Sequence, residues 1–223
     1  MRRGLALTAG CAHVRADDLD GQFPCYGYGG QMPNGVVSHC FALNGNPDAA
    51  ACAGVDGILA AYRQALSSVA LSGPTCFAPV INAACDMAQG TLRDPPSAPL
   101  KYFVLLIITD GAVMDIDATL NAVVRASRLP LSLVIVGVGS ADFSAMVALD
   151  ADGGPLKSQA GVAARDCVQF VRMSDYQGLG SGARLAKDVL AEAPTQVVQY
   201  FMATGRLPGP PIPRPQGMEL PGQ

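Results

Sequence analysis

Apolar positions along this chain follow two rhythms. Lys101–Thr109 (KYFVLLIIT) and Leu131–Val136 (LSLVIV) are apolar almost without a break, as strands are when both faces of their sheet are covered. A further strand is predicted at Asp166–Val171, and shorter ones at Gln22–Gly30 (QFPCYGYGG) and Cys40–Leu43. Elsewhere the apolar residues return at helical spacing. Gly54–Val69 sets Val55, Ile58, Leu59, Tyr62 and Leu66 on one face, which predicts a helix buried along that stripe. Further helices are expected over Phe77–Ala88, Asp117–Ser127, Asp142–Leu149 and Ala183–Ala203, the last interrupted around Pro194. Gly90–Pro99 and Asp150–Ala160 read as loops, and the N-terminal MRRGLALTAGCAHVRA reads as the end of a helix.

Buried strands alternating with helices predict an α/β fold: a doubly wound, mostly parallel sheet flanked by helices. Ligands of such sheets sit at the carboxyl ends of the strands. There VLLIITDG delivers Asp110 and Gly111, and LSLVIVGVG delivers Gly137 and Gly139. A strand-end carboxylate has two ordinary uses. It caps the helix that follows, or it helps to hold a cation. Spacing alone leaves both open.

Composition narrows the function more than it defines it. The chain has 223 residues, half of them apolar and 15% charged, enough for one sizeable core. The formal charge is −3 and the 15 basic residues are scattered, so no basic stripe for nucleic acid exists. No apolar run approaches the length that spans a membrane. Seven cysteines without CxxC or Cys/His spacing read as free thiols in a reducing compartment. LTAGC is similar to a lipoprotein cleavage site, but the apolar core before Cys11 is too short for a signal. The last 19 residues hold six prolines and predict an extended, disordered tail over 208–223 behind a domain spanning 1–207. LPGPPIPRP has the composition of an SH3 or WW ligand as well.

Catalytic motifs fail. GVGSAD places Asp142 where a dinucleotide fingerprint needs its third glycine, and neither a P-loop nor a GxSxG elbow is present. His13 and His39 stand outside any triad pattern. DADGG from Asp150 opens like a calcium loop but places Gly154 and Gly161 where ligands belong, so it reads as a turn. The expectation is a protein without catalytic activity.

The run from YFVLLIITDGAVMDIDATL through LPLSLVIVGVGSADFSAMVALDADGG strongly resembles the copine family, whose C-terminal module is a von Willebrand factor A-like domain. VSHCFALNG, CAGVDGILAAYRQAL, GPTCFAPVI, RDCVQFV and AEAPTQVVQYF resemble the same module in the same order, from Leu5 to Leu207. RING-type ubiquitin ligases of plants carry a similar domain, and an accessory role in such a ligase is the alternative reading; this chain has no RING pattern of cysteine and histidine.

The resemblance implies a metal-ion-dependent adhesion site, in which oxygens from three loops hold Mg²⁺ or Mn²⁺. Carried over by position, GPT supplies Thr75 and ITDG supplies Asp110. The DxSxS loop that supplies most ligands would lie upstream of Gly4, so metal binding is expected to be weak or lost. The same comparison predicts a domain incomplete at its N-terminus, lacking the central first strand. The two flanking strands are then left with unpaired edges and low stability, or pair with each other. The resemblance further implies binding of target proteins through a face containing Gly73, Pro74, Gly111, Gly137 and Gly139, no organic cofactor, and a cytoplasmic location, peripheral at the plasma membrane. Calcium-dependent phospholipid binding belongs, in the family, to C2 domains that this sequence does not contain.

Overall fold

The computed structural model describes residues 6–13, 21–95, 101–150 and 154–206, the first of these as backbone only. The N-terminal half is built from β1 (Ala6–His13), β2 (Gln22–Pro24), β3 (Tyr26–Tyr28), β4 (Gly30–Gln31), β5 (Val37–Ser38), β6 (Phe41–Ala42), β7 (Ala51–Ala53), α1 (Gly54–Ser68), β8 (Ala70–Leu71) and α2 (Ala78–Thr91). After it come β9 (Phe103–Thr109), α3 (Ile116–Ala126), β10 (Leu131–Gly137) and α4 (Ser144–Leu149). The chain continues with β11 (Lys157–Ser158), β12 (Gly161–Val162), β13 (Val168–Arg172), α5 (Ser181–Val189) and α6 (Ala193–Ala203).

The main sheet has six strands in the order β13-β10-β9-β1-β3-β6. One half of it is a parallel trio, with β13 at the edge: Leu131–Gly137 lies in register with Phe103–Thr109, and Leu133–Gly137 with Val168–Arg172. Alternation along these strands separates two cores. Phe103, Leu105, Ile107, Leu131, Leu133 and Ile135 face α2, α3 and α4, where Phe77, Ile81, Val123 and Met146 meet them. Tyr102, Val104, Val134 and Val136 face the other way, onto Tyr200, Val197 and Phe201 of α6. Both faces are covered, which is why β9 and β10 read as continuous apolar runs. Each large side chain sealed there stabilises the fold by roughly 1.5–3 kcal/mol.

A chain of polar groups crosses the α6 side. The Tyr102 hydroxyl lies 2.7 Å from Ser132 Oγ, Ser132 Oγ donates to Gln196 Oε1 at 2.5 Å, and Gln196 Nε2 donates to Glu192 Oε2 at 3.0 Å. Each of these buried groups thereby has a partner, as burial requires. On the opposite side the thiols of Cys85 and Cys167 are pushed up to about 12 by burial. All six cysteines whose side chains are described are free.

Several expectations change. Residues 6–13 are a strand and not a helix end. β1 fills the slot between β9 and β3, antiparallel to both, with Thr8 opposite Ile107 on one side and Tyr26 on the other. The predicted gap is therefore closed, and the flanking strands do not pair with each other. A bulge between Ala9 and Ala12 interrupts the ladder to β9. The single strand predicted at Gln22–Gly30 divides into β2, β3 and β4, each paired differently. Asp150–Ala160 is not all loop, because β11 pairs with β12 in a small hairpin. Around Pro194 the interruption is complete: α5 ends at Val189, and Pro194 lies in the first turn of α6, where proline is tolerated.

α1 buries a different face from the one its largest residues suggest. Ala61 and Ala65 are buried against Cys25, Phe41, Leu43 and Cys52, with Ile58 and Tyr62 packed beside them. Val55 and Leu59 are 68% and 43% exposed. Small side chains let the helix axis come close, and that close approach selects the alanine face. The tail at 208–223 lies outside the described residues.

Candidate functional site

The carboxyl ends of β9 and β10 lie together, since Thr109 and Gly137 are partners in register and Val138 N–H donates to the Thr109 carbonyl at 2.7 Å. Three connections leave from this edge or pass over it: residues 72–77, 110–115 and 138–143. The first two are tied by Met114 N–H, which donates to the Thr75 carbonyl at 2.8 Å. Thr75 Oγ1 lies 3.7 Å from where a Cβ on Gly111 would stand, an ordinary contact distance. Thr75 and Asp110 thus occupy neighbouring loops.

Asp115 makes the strongest tie. Its carboxylate accepts from Phe77 N–H at 2.9 Å and from Ala78 N–H at 3.0 Å, capping α2, and from the Thr119 hydroxyl at 3.0 Å. It occupies the N-cap position of α3 while its side chain caps α2. The positive end of α2 is thereby satisfied within the chain. A carboxylate of this loop does cap a helix, but it is Asp115 and the helix is the preceding α2, not the one that follows; no pattern local to the sequence links positions 115 and 77.

Asp110 itself is exposed, and among the described residues nothing hydrogen-bonds to its carboxylate. The turn out of β9 is fixed at Thr109, whose hydroxyl accepts from Gly111 N–H at 3.3 Å. The negative charge of Asp110 is felt by two tyrosines. Burial pushes the Tyr28 hydroxyl well above its ordinary value, with Asp110 adding to the shift and the Thr109 hydroxyl opposing it. Burial and then Asp110 push Tyr62 up likewise. The Tyr28 hydroxyl donates to the Ile108 carbonyl at 3.0 Å and props the end of β9. Tyr62, from α1, is a neighbour of Asp110 that sequence reasoning did not foresee.

The glycine positions divide. Gly73 and Pro74, joined by a cis peptide, are exposed, as is Gly139 at φ +91°. Gly111 is half-buried beside Thr75. Gly137 is buried, because the Phe143 ring covers it; a Cβ there would stand 3.0 Å from ring carbons. Its place is in the packing beneath the edge and not on the surface. Met114 is 66% exposed and stands outward between Asp110 and Asp115. Asp142, on the third connection, caps α4 through Ser144 N–H at 2.9 Å, and that bond holds its carboxyl below the usual range, helped by Arg172.

Thr75 and Asp110 offer one hydroxyl and one carboxylate. Among the described residues no group of three or more His, Cys, Asp or Glu is placed to hold a metal ion. β1 runs antiparallel to β9, and its carboxyl end, His13, lies opposite Phe103 at the far end of the strand from Asp110. A hard divalent cation takes six or more oxygens, so the donors among the described residues do not fit one.

A mixed α/β sheet wrapped by helices, parallel over β9, β10 and β13, with a threonine loop and an aspartate loop meeting at the carboxyl edge of those strands, defines a domain of the von Willebrand factor A-like class. A family model described as Copine matches residues 5–208. The chain belongs to the copine family. No described helix is long and apolar enough to cross a membrane.

Proposed function

We propose that this chain is a non-catalytic protein-interaction module that binds target proteins through the carboxyl edge of its sheet, at residues 73–76, 110–114 and 139–142. The observation that carries the reading is Met114 beside Asp110. An exposed thioether and an exposed carboxylate are held on a loop anchored by the Met114–Thr75 and Asp115–α2 hydrogen bonds. Fixed apolar surface next to an unneutralised charge is what a partner protein can match. Binding in this reading is direct and needs no Mg²⁺ or Mn²⁺, because two oxygens leave most of a cation's shell to water. The exposed carboxylate then favours a partner that brings a basic side chain. Calcium-dependent attachment to phospholipid, and residence at the plasma membrane, would require C2 domains; the module itself works in the cytoplasm.

Two measurements test this. Calorimetric titration with Mg²⁺ and with Mn²⁺ is expected to show no binding up to millimolar metal; a stoichiometric site would overturn the metal-free reading. Proteins retained by the wild-type chain are expected to survive EDTA and to be lost with Asp110→Lys. Retention indifferent to Asp110→Lys would move the binding face elsewhere.

A further inference from the structure

α1 leaves a row of large apolar side chains on the surface. Val55, Leu59 and Leu66 are 68%, 43% and 47% exposed, and half-buried Tyr62 stands among them. At helical spacing these four positions form one stripe beside the buried alanine face. Large apolar side chains adjoining along one helix make a contiguous patch, unlike apolar residues exposed singly. Asp56 and Arg63 lie about a quarter turn to the same side of the stripe, two turns apart. Both are exposed, and neither has a hydrogen bond or ion pair among the described residues. They are too far apart to pair with each other, since neighbours on a helix surface stand three or four positions apart.

We infer that the exposed stripe of α1 is a homodimer interface, covered by the same stripe of a second copy running antiparallel. The charge pattern selects this occupant. One flank carries an acid towards the N-terminal end of the stripe and a base towards its C-terminal end. A two-fold axis perpendicular to the helix pair then sets Asp56 of each copy level with Arg63 of the other, on the same side of the pair. A parallel pair would set like charge against like. In the antiparallel register the apolar side chains interleave. Val55 falls level with the gap between Tyr62 and Leu66 of the other copy, Tyr62 with the gap between Val55 and Leu59, and the two Leu59 side chains meet near the axis. One arrangement therefore covers the apolar row and pairs both charges at its rim. The stripe is short, so the contact lies at the small end for proteins and the dimer is weak, with a Kd on the order of 0.1 mM.

The test is sedimentation equilibrium of the full chain from about 5 µM to about 0.5 mM. Wild type is expected to pass from monomer to dimer across that range. Leu59→Lys, which brings two ammonium groups together near the axis, is expected to stay monomeric throughout. Asp56→Arg and Arg63→Asp each turn two attractive contacts into two repulsive ones, and each alone is expected to weaken association at least about tenfold. An equimolar mixture of these two variants has opposite charges at both contacts again and is expected to dimerise as wild type does. A wild type monomeric at the top of the range, a dimer indifferent to Leu59→Lys, or charge variants that do not complement each other in the mixture would each overturn the inference. All three substitutions lie at exposed positions, and a far-UV spectrum matching that of wild type checks that each variant is folded.

Discussion

Asp115→Ala removes one acceptor from three hydrogen bonds: two to the first turn of α2 and one to Thr119. Two amides at a helix start then lose their partner, and bonds to a charged acceptor are the stronger kind. The expected loss is about 2–4 kcal/mol, read as a lower urea midpoint at unchanged slope. Asp110→Ala removes an exposed side chain with no bond from the described residues, and stability should stay within about 0.5 kcal/mol of wild type. The pair separates two roles at one edge. A stability loss at Asp110 as large as that at Asp115 would mean that Asp110 is structural after all. Only half of this contrast was legible in the sequence. ITDG placed Asp110 at the end of a strand, but the bonds of Asp115 run to residues 37 and 38 positions away, and pattern does not reach that far.

At the scale of the element, α1 makes a prediction against intuition. Leu59→Lys, at one of its largest apolar residues, should change stability by less than about 0.5 kcal/mol, because Leu59 faces solvent. Ala65→Leu, a gain in apolar surface, should cost about 1–3 kcal/mol, because Ala65 is 4% exposed and packed against the cluster around Cys25 and Phe41. Thermal unfolding of the two variants checks both, and the reverse order would restore the stripe read from residue size. Size misled here because the neighbours leave room only for a methyl group. β9 and β10 were legible because burial on both faces leaves nothing for polar residues to do. The division at Gln22–Gly30 was not, because it depends on which distant segment each piece of two or three residues finds.

Over the whole molecule, the sheet is continuous only through β1. That strand is rich in small residues (ALTAGCAH), lacks alternation and carries a bulge, so its sequence announces neither strand nor helix. What assigns it is the demand of its neighbours: β9 and β3 have backbone groups that must be paired. Thr8→Pro, at a position opposite both Ile107 and Tyr26, is therefore expected to cost at least about 2 kcal/mol. Urea unfolding measures it, and a variant of unchanged stability would show that the sheet does not depend on this strand. Helices over parallel β9, β10 and β13 were readable from rhythm alone, whereas the antiparallel half of the sheet, β1, β3 and β6, was not.

The shared cap at Asp115 has one more consequence. Because a single carboxylate pins α2 to the start of α3, and Met114 pins its loop to Thr75, the two loops of the carboxyl edge and the helices behind them form one plate. A plate that is already ordered surrenders little motion when a partner lands on it. Recognition is then a matter of collision and fit: one kinetic phase, a rate linear in partner concentration, and an entropic toll borne almost wholly by the partner.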